Sequence, residues 1–164
     1  ARLIGARVIG IVGTKAKAEL AAAAGAAETI LAADDVPARV RELTEGRGVP
    51  VVYDSVGRDT FFASLDCLAP HGVMVSYGNA SGPVEPFALS ELAKRGSLYV
   101  TRPILFDFIS DRATFESAVA ELLGHLDSGD IRIAINQRYR LTDAAEAHRD
   151  LEARRTTGCS VLML

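Results

Sequence analysis

Across 164 residues, 49% hydrophobic and 24% charged side chains give an ordinary globular balance, with enough apolar material for a real core. A net charge of −3 provides no broad positive field for nucleic acid or an anionic membrane, and leaves room only for a local basic cluster around one phosphate. The two cysteines lack C-x-x-C spacing and the histidines lack ligand spacing, which disfavours zinc and favours buried, reduced thiols; no signal peptide is evident, and the apolar runs stop short of the ~20 residues of a membrane span, so a cytoplasmic protein is expected.

A helix tail and the strand Arg7-Val8-Ile9-Gly10-Ile11-Val12 open the chain and run into Gly13-Thr14-Lys15-Ala16-Lys17. In a doubly wound sheet the second strand ends beside the adenosine ribose, where an Asp or Glu accepts from both hydroxyls of NAD and repels an added phosphate. No acid stands there in this chain. The hydroxyl and amide donors of Gly13 and Thr14, with the Lys17 ammonium one helical turn on, suit a 2′-phosphate dianion instead, so the residues predict NADPH. A first strand and a G-x-G-x-x-G turn should precede such a strand, yet none of the 14 glycines forms that pattern. The expectation is a fragment of a larger enzyme.

Lys17 to Ala24 is predicted as a helix stopped by Gly25, and Glu28 to Leu31 as a short strand. Asp34, Asp35 and Pro37 mark the start of a second helix ending near Gly46. Val49 to Val52 reads as a buried strand leading into Tyr53-Asp54-Ser55-Val56-Gly57, and Asp59 or Thr60 opens a helix through Leu68. Pro70-His71-Gly72 is a predicted turn, Val73 to Tyr77 a strand released into Gly78-Asn79, Leu89 to Lys94 a short helix, and Ser97 to Arg102 a strand terminated by Pro103. This alternation predicts an α/β fold, a doubly wound Rossmann-like parallel sheet with helices on both faces, truncated at its N-terminus. Beyond Pro103 come a long helix from Asp111 to about Leu126 with Phe115, Val119, Leu122 and Leu126 on one face, extended pieces at Ile131 to Ile135 and Tyr139 to Leu141, a helix reaching Arg154 and a last strand from Ser160 to Leu164. Residues 1–102 are therefore expected to be a partial dinucleotide-binding domain, and 103–164 a segment returning to a catalytic domain outside this sequence.

Five ordered blocks carry a family resemblance over essentially the whole chain: Val8-Ile9-Gly10 through Lys17-Ala18, Val51-Val52-Tyr53-Asp54-Ser55-Val56-Gly57, Ser64-Leu65-Asp66-Cys67-Leu68, Val75-Ser76-Tyr77-Gly78-Asn79 and Gly96 through Pro103. The chain resembles the C-terminal half of zinc-free, zeta-crystallin-like quinone oxidoreductases of the medium-chain dehydrogenase/reductase superfamily. That resemblance implies an NADPH:quinone reductase in which Gly13, Thr14 and Lys17 hold the 2′-phosphate and Val56 lies along the adenosine. It further implies that Tyr77, Gly78 and Asn79, with Pro103, Ile104 and Leu105, approach the nicotinamide, and that Arg154 contacts the cofactor. It departs from the pattern at Ala32, where relatives often place a tyrosine beside the adenosine phosphate. The family also forms homodimers through the edge strand that Ser97 to Thr101 would supply.

Each residue has a plainer reading beside the functional one. The plainer readings are a solvated helix lysine for Lys17, turn glycines needing positive φ for Gly13 and Gly78, a core side chain for Tyr77 and a solvent-facing residue near a helix end for Arg154. Hydride transfer to a quinone asks for orientation and exclusion of water more than for a protein acid, so the catalytic residue stays unknown; His71, His125 and His148 read as surface or capping residues. Reduction of an enone or enoyl thioester, and non-catalytic nucleotide binding by a structural or RNA-associated protein, are the alternatives to quinone reduction.

Overall fold

A single 3-10 turn, Arg2–Ile4, stands where a helix tail was expected, and the first strand, β1, is Ile9–Val12, shorter than predicted. All residues from Ala1 to Leu164 are described by the computed structural model. Thr14 caps α1, Lys15–Ala23, its hydroxyl accepting from the Lys17 amide at 3.2 Å. Gly25, at φ +103, then turns the chain into β2, Glu28–Leu31, the predicted span. Asp35 caps α2, Val36–Leu43, by accepting from the Ala38 amide at 3.1 Å, and Pro37 sits in the first turn as its fixed φ favours.

The next elements are β3, Val49–Asp54; α3, Phe61–Asp66; β4, Leu68–Ser76; α4, Ser90–Lys94; β5, Tyr99–Thr101; and α5, Leu105–Phe108. Two local expectations are corrected. The Pro70-His71-Gly72 turn lies inside β4 as an irregularity, where the register with β3 jumps from Val49↔Leu68 to Val51↔Val73 and His71 takes φ +63. Ser97 does not begin the strand that follows, because its φ of +58 is a turn conformation.

Pairing is parallel throughout, but the predicted single sheet is interrupted: β1 pairs with β2, and β3, β4 and β5 form a second sheet in that order. β1 and β3 each keep one edge without a strand partner. Two hydrophobic clusters lie over these sheets, one built on Phe61, Leu65, Leu68, Met74 and Leu98, the other on Ile30, Val40 and Cys67. Val49 and Val52 of β3 pack against both clusters, and Ile9 of β1 packs against the second, so one apolar interior serves both sheets. β5 is the outer strand of its sheet, the position expected for Ser97 to Thr101.

The chain divides into units Ala1–Ser110 and Asp111–Leu164, so Pro103 to Ser110 goes with the first. In the second, Asp111 caps α6, Arg112–Asp127, accepting from the Thr114 amide at 2.9 Å. Of the two extended pieces predicted, Ile131 to Ala134 is not strand and Leu141 opens a 3-10 turn, Leu141–Asp143; the strand between them is β6, Ile135–Arg140, which pairs in parallel with β7, Cys159–Met163, across α7, Ala144–Glu152. The helix predicted to reach Arg154 ends at Glu152, and Arg154 follows it at φ +57. The two thiols differ: Cys67 is buried, and that burial pushes its pKa up to about 11, whereas Cys159 is exposed, against the expectation of two buried cysteines.

Candidate functional site

Val12, Asp54, Ser76 and Thr101 end β1, β3, β4 and β5, and the candidate residues of the first unit follow directly on these ends. At the first corner, Gly13 has no positive φ, and a Cβ there would meet nothing within 4 Å, so a strained turn does not explain this glycine. Thr14 is exposed; its oxygen accepts the Lys17 amide while its O–H stays available to donate, and Lys17 lies one turn along α1, half-buried. The Ala32 amide donates to the Val12 carbonyl at 2.8 Å, which sets exposed Ala32 beside the same loop. No acid occurs from Val12 to Lys17. The corner therefore offers a hydroxyl, free backbone and an ammonium at an open helix start, a donor set that fits a phosphate dianion.

The loop after β3 is organised by Asp54, a residue whose site role the sequence did not disclose. Its side chain is 4% exposed. Oδ1 accepts from the Val56 and Gly57 amides at 2.8 and 3.0 Å, and Oδ2 from the Thr60 and Ser64 hydroxyls, both at 2.7 Å. Burial alone would raise the pKa of this carboxyl; the Gly57 amide, the two hydroxyls and the Val56 amide together outweigh it and hold the group below its ordinary value. A carboxyl depressed in the folded protein contributes stability that is present above the unfolded pKa, roughly 3.9, and is lost as pH falls through the lower folded value. Thermal midpoints measured from pH 5 down to pH 3 should thus fall in the native protein, and fall less steeply once Thr60→Val and Ser64→Ala have removed two donors.

Val56, half-buried, binds the neighbouring loop: its carbonyl accepts from both the amide and the hydroxyl of Ser81 at 2.8 Å. Gly57, at φ +89, lies against the Gly82 carbonyl, 2.6 Å from where a Cβ would stand. Gly78 is required by close approach and not by φ, since its Cβ would fall 2.2 Å from the Ser55 carbonyl oxygen. Tyr77 donates its amide to the Asp54 carbonyl at 2.9 Å and is 52% exposed, which removes the core-packing reading of its ring. Arg102, just past β5, donates one Nη to the carbonyls of Ser76 and Gly78 at 3.0 and 3.1 Å, and so ties the ends of β4 and β5 together.

An open cavity of about 510 Å³ beside these ends is lined by Asn79 and Arg102 with Phe61, Phe87 and Val100. Of the predicted residues, Asn79 lines it; Tyr77 and Gly78 stand next to it in sequence, and Ile104 and Leu105 are exposed beyond β5, 56% and 67%. Pro103 is half-buried at the same strand end. Gly13, Thr14 and Lys17 form the separate corner after β1. Arg154 belongs to the second unit, in the turn between α7 and β7. There Asp150 accepts from Arg155 at 3.0 Å and from the Tyr139 hydroxyl at 2.8 Å, which pins the residue following Arg154; the Arg155 guanidinium, then Tyr139, hold the Asp150 carboxyl below its usual range.

Loops gathered past the carboxyl ends of parallel strands, with a phosphate-compatible helix start at the first of them, define an α/β nucleotide-binding unit. The chain belongs to the zinc-binding dehydrogenase family, whose sequence model matches residues 24–162. It is 51% identical over 164 residues to the quinone oxidoreductase of Pseudomonas aeruginosa, covering 99% of this chain and 50% of that protein, and 47% identical over 166 residues to quinone oxidoreductase 1 of Escherichia coli, covering 99% and 51%. It is 42% identical over 165 residues to a 2-haloacrylate reductase of Burkholderia, again covering 99% of this chain and 50% of that protein. Among solved structures, the Escherichia coli quinone oxidoreductase complexed with NADPH superposes with a TM-score of 0.96 at 47% identity, covering all of this chain and 51% of that one. The chain spans about half the length of the curated relatives it matches. In this chain no group of three or more His, Cys, Asp or Glu side chains is gathered to hold a metal ion. No helix is long and apolar enough to cross a membrane.

Proposed function

We propose that this chain is the NADPH-binding part of a quinone reductase, and the observation that carries the reading is the acid-free corner of Gly13, Thr14 and Lys17 at the start of α1. β1 and β3 each keep one edge without a strand partner, where a further parallel strand bearing a glycine-rich pyrophosphate turn would pair. Lys17 and Thr14 would hold the 2′-phosphate, Val56 the adenosine, and Tyr77, Gly78, Asn79, Pro103, Ile104 and Leu105 the nicotinamide end. Bound NADPH would supply the hydride, and the quinone oxygen would take its proton from solvent or a polar neighbour. The protein's part is to hold both partners in line and keep water out, without zinc. The quinone oxidoreductase relatives, and the NADPH complex of one of them, support this assignment.

A second reading, reduction of an activated alkene, is favoured by the 42% identity to the 2-haloacrylate reductase. Steady-state assays of the intact protein with NADPH separate the two: turnover of a simple benzoquinone and none of a haloacrylate or a crotonyl thioester supports the first, and the reverse pattern replaces it with the second. Tight NADPH binding without turnover of any of them would leave a non-catalytic nucleotide-binding protein.

Ala32, beside the phosphate corner, leaves out one contact. Ala32→Tyr should lower the NADPH Michaelis constant by the worth of one hydrogen bond, about 0.5–1.5 kcal/mol, or roughly two- to tenfold, and an unchanged constant would discard the contact. We also propose a homodimer paired through β5, an edge strand with exposed Tyr99 and an outer side that no strand of this chain pairs with. Light scattering of the intact protein should return twice the chain mass; a monomer mass would end this proposal.

A further inference from the structure

We propose that Asp54 is a positioning residue for the cofactor: its buried carboxylate builds the β3–α3 loop, and through it the β4–α4 loop, into the binding conformation before nucleotide arrives. The inference rests on the NADPH reading and adds to it a residue outside the cofactor shell. Its hydrogen-bond partners are two loop amides and two hydroxyls, Thr60 just before α3 and Ser64 within it, and none of them is charged. An ionised carboxylate accepts all four and has no hydrogen of its own to satisfy, whereas an amide in its place turns an NH₂ toward groups already donating. Thr60 and Ser64 lie four residues apart, on one side of the helix start, so both reach Oδ2.

The loop so fixed is the anchor for its neighbour. Besides the two bonds from Ser81 to the Val56 carbonyl, the Ala80 amide donates to the Ser55 carbonyl at 3.2 Å, the Arg58 amide to the Gly82 carbonyl at 3.1 Å, and the Asp59 amide to the Ser81 hydroxyl at 3.0 Å. The segment Asn79–Gly82 therefore keeps its course only while Ser55 to Asp59 keep theirs. Without the carboxylate these loops must be ordered by the ligand, which lowers affinity and leaves the bound complex the same. The effect belongs in the Michaelis constant, not in the turnover number.

The experiment measures kcat and KM for NADPH on the intact protein carrying Asp54→Asn, with Thr60→Val as the milder variant in case the first does not fold. Val40→Ala, which opens the other core cluster, is the control for lost stability alone. The expected result is a KM for NADPH raised about tenfold in Asp54→Asn and about threefold in Thr60→Val, with kcat within twofold. Thr60→Ser should restore the native constant, and Val40→Ala should keep it despite a lower thermal midpoint. A KM unchanged in Thr60→Val, or raised as much in Val40→Ala, overturns the positioning role while leaving the cofactor assignment intact. Failure of the native protein to bind NADPH overturns both.

Discussion

Reversing the charge at Lys17 should raise the NADPH dissociation constant of the intact protein about 100-fold, because on the proposed reading Lys17→Glu would remove a charge-assisted bond worth roughly 1.5–3 kcal/mol and set a carboxylate against a phosphate dianion. NADH, which lacks that phosphate, should bind within about twofold of its native strength. The contrast between the two nucleotides is the informative quantity. A lysine that only solvates the surface of α1 would leave both constants alone, and one that supports the fold would weaken both. Thr14 would serve in two ways, since its oxygen caps α1 and a hydroxyl that accepts can still donate. Thr14→Ser should keep both properties.

Gly78→Ala should be among the most damaging single substitutions in the first unit. The added Cβ would stand 2.2 Å from the Ser55 carbonyl oxygen and 2.6 Å from its Cα, both backbone atoms that cannot swing aside. The clash costs about 1–3 kcal/mol or more, which exceeds the 0.4–1 kcal/mol that alanine ordinarily gains by restricting the unfolded chain. A thermal midpoint lowered by several degrees, with a weakened hold on NADPH, is the expected outcome; a midpoint equal to the native one would mean that the β3 and β4 loops do not touch as described. Gly13→Ala is the useful opposite. Open space around that Cα leaves stability unchanged, so any loss of NADPH affinity there reports on the ligand and not on the fold.

Much of the fold was legible because short-range rules determine it. Asp35 with Pro37, and Asp111 with its following helix, are capping patterns, and both helices begin where those residues direct. Glu28 to Leu31 is a β-forming run bounded by a glycine-ended helix and an acidic turn, so the strand and its span were both readable. What was not legible depends on contacts distant in sequence. The irregularity within β4 belongs to its pairing with β3, where the register shifts from Val49↔Leu68 to Val51↔Val73, and the role of Gly78 follows from Ser55, 23 positions earlier. Local propensity contains neither fact.

The candidate site divides in the same way. Thr14 and Lys17 could be read from an absent acid and a helix start, since both are neighbours in sequence. The role of Asp54 is not legible in the sequence, because its partners, at Val56, Gly57, Thr60 and Ser64, become one network only when a strand end and a helix start meet. A signal was present: an acid followed three residues on by glycine, and then by two hydroxyls four residues apart. Arg102 carried no such local signal, for its bonds to the Ser76 and Gly78 carbonyls exist only because β4 and β5 are neighbours in the sheet.

Calorimetric titration of the intact protein with adenosine 2′,5′-bisphosphate and, separately, with adenosine 5′-monophosphate isolates the phosphate from the rest of the cofactor. A corner built to hold that group binds the bisphosphate at least tenfold more tightly, with the difference shrinking as salt is raised, as roughly one charge-assisted contact requires. Equal affinities for the two nucleotides at low salt would contradict the account.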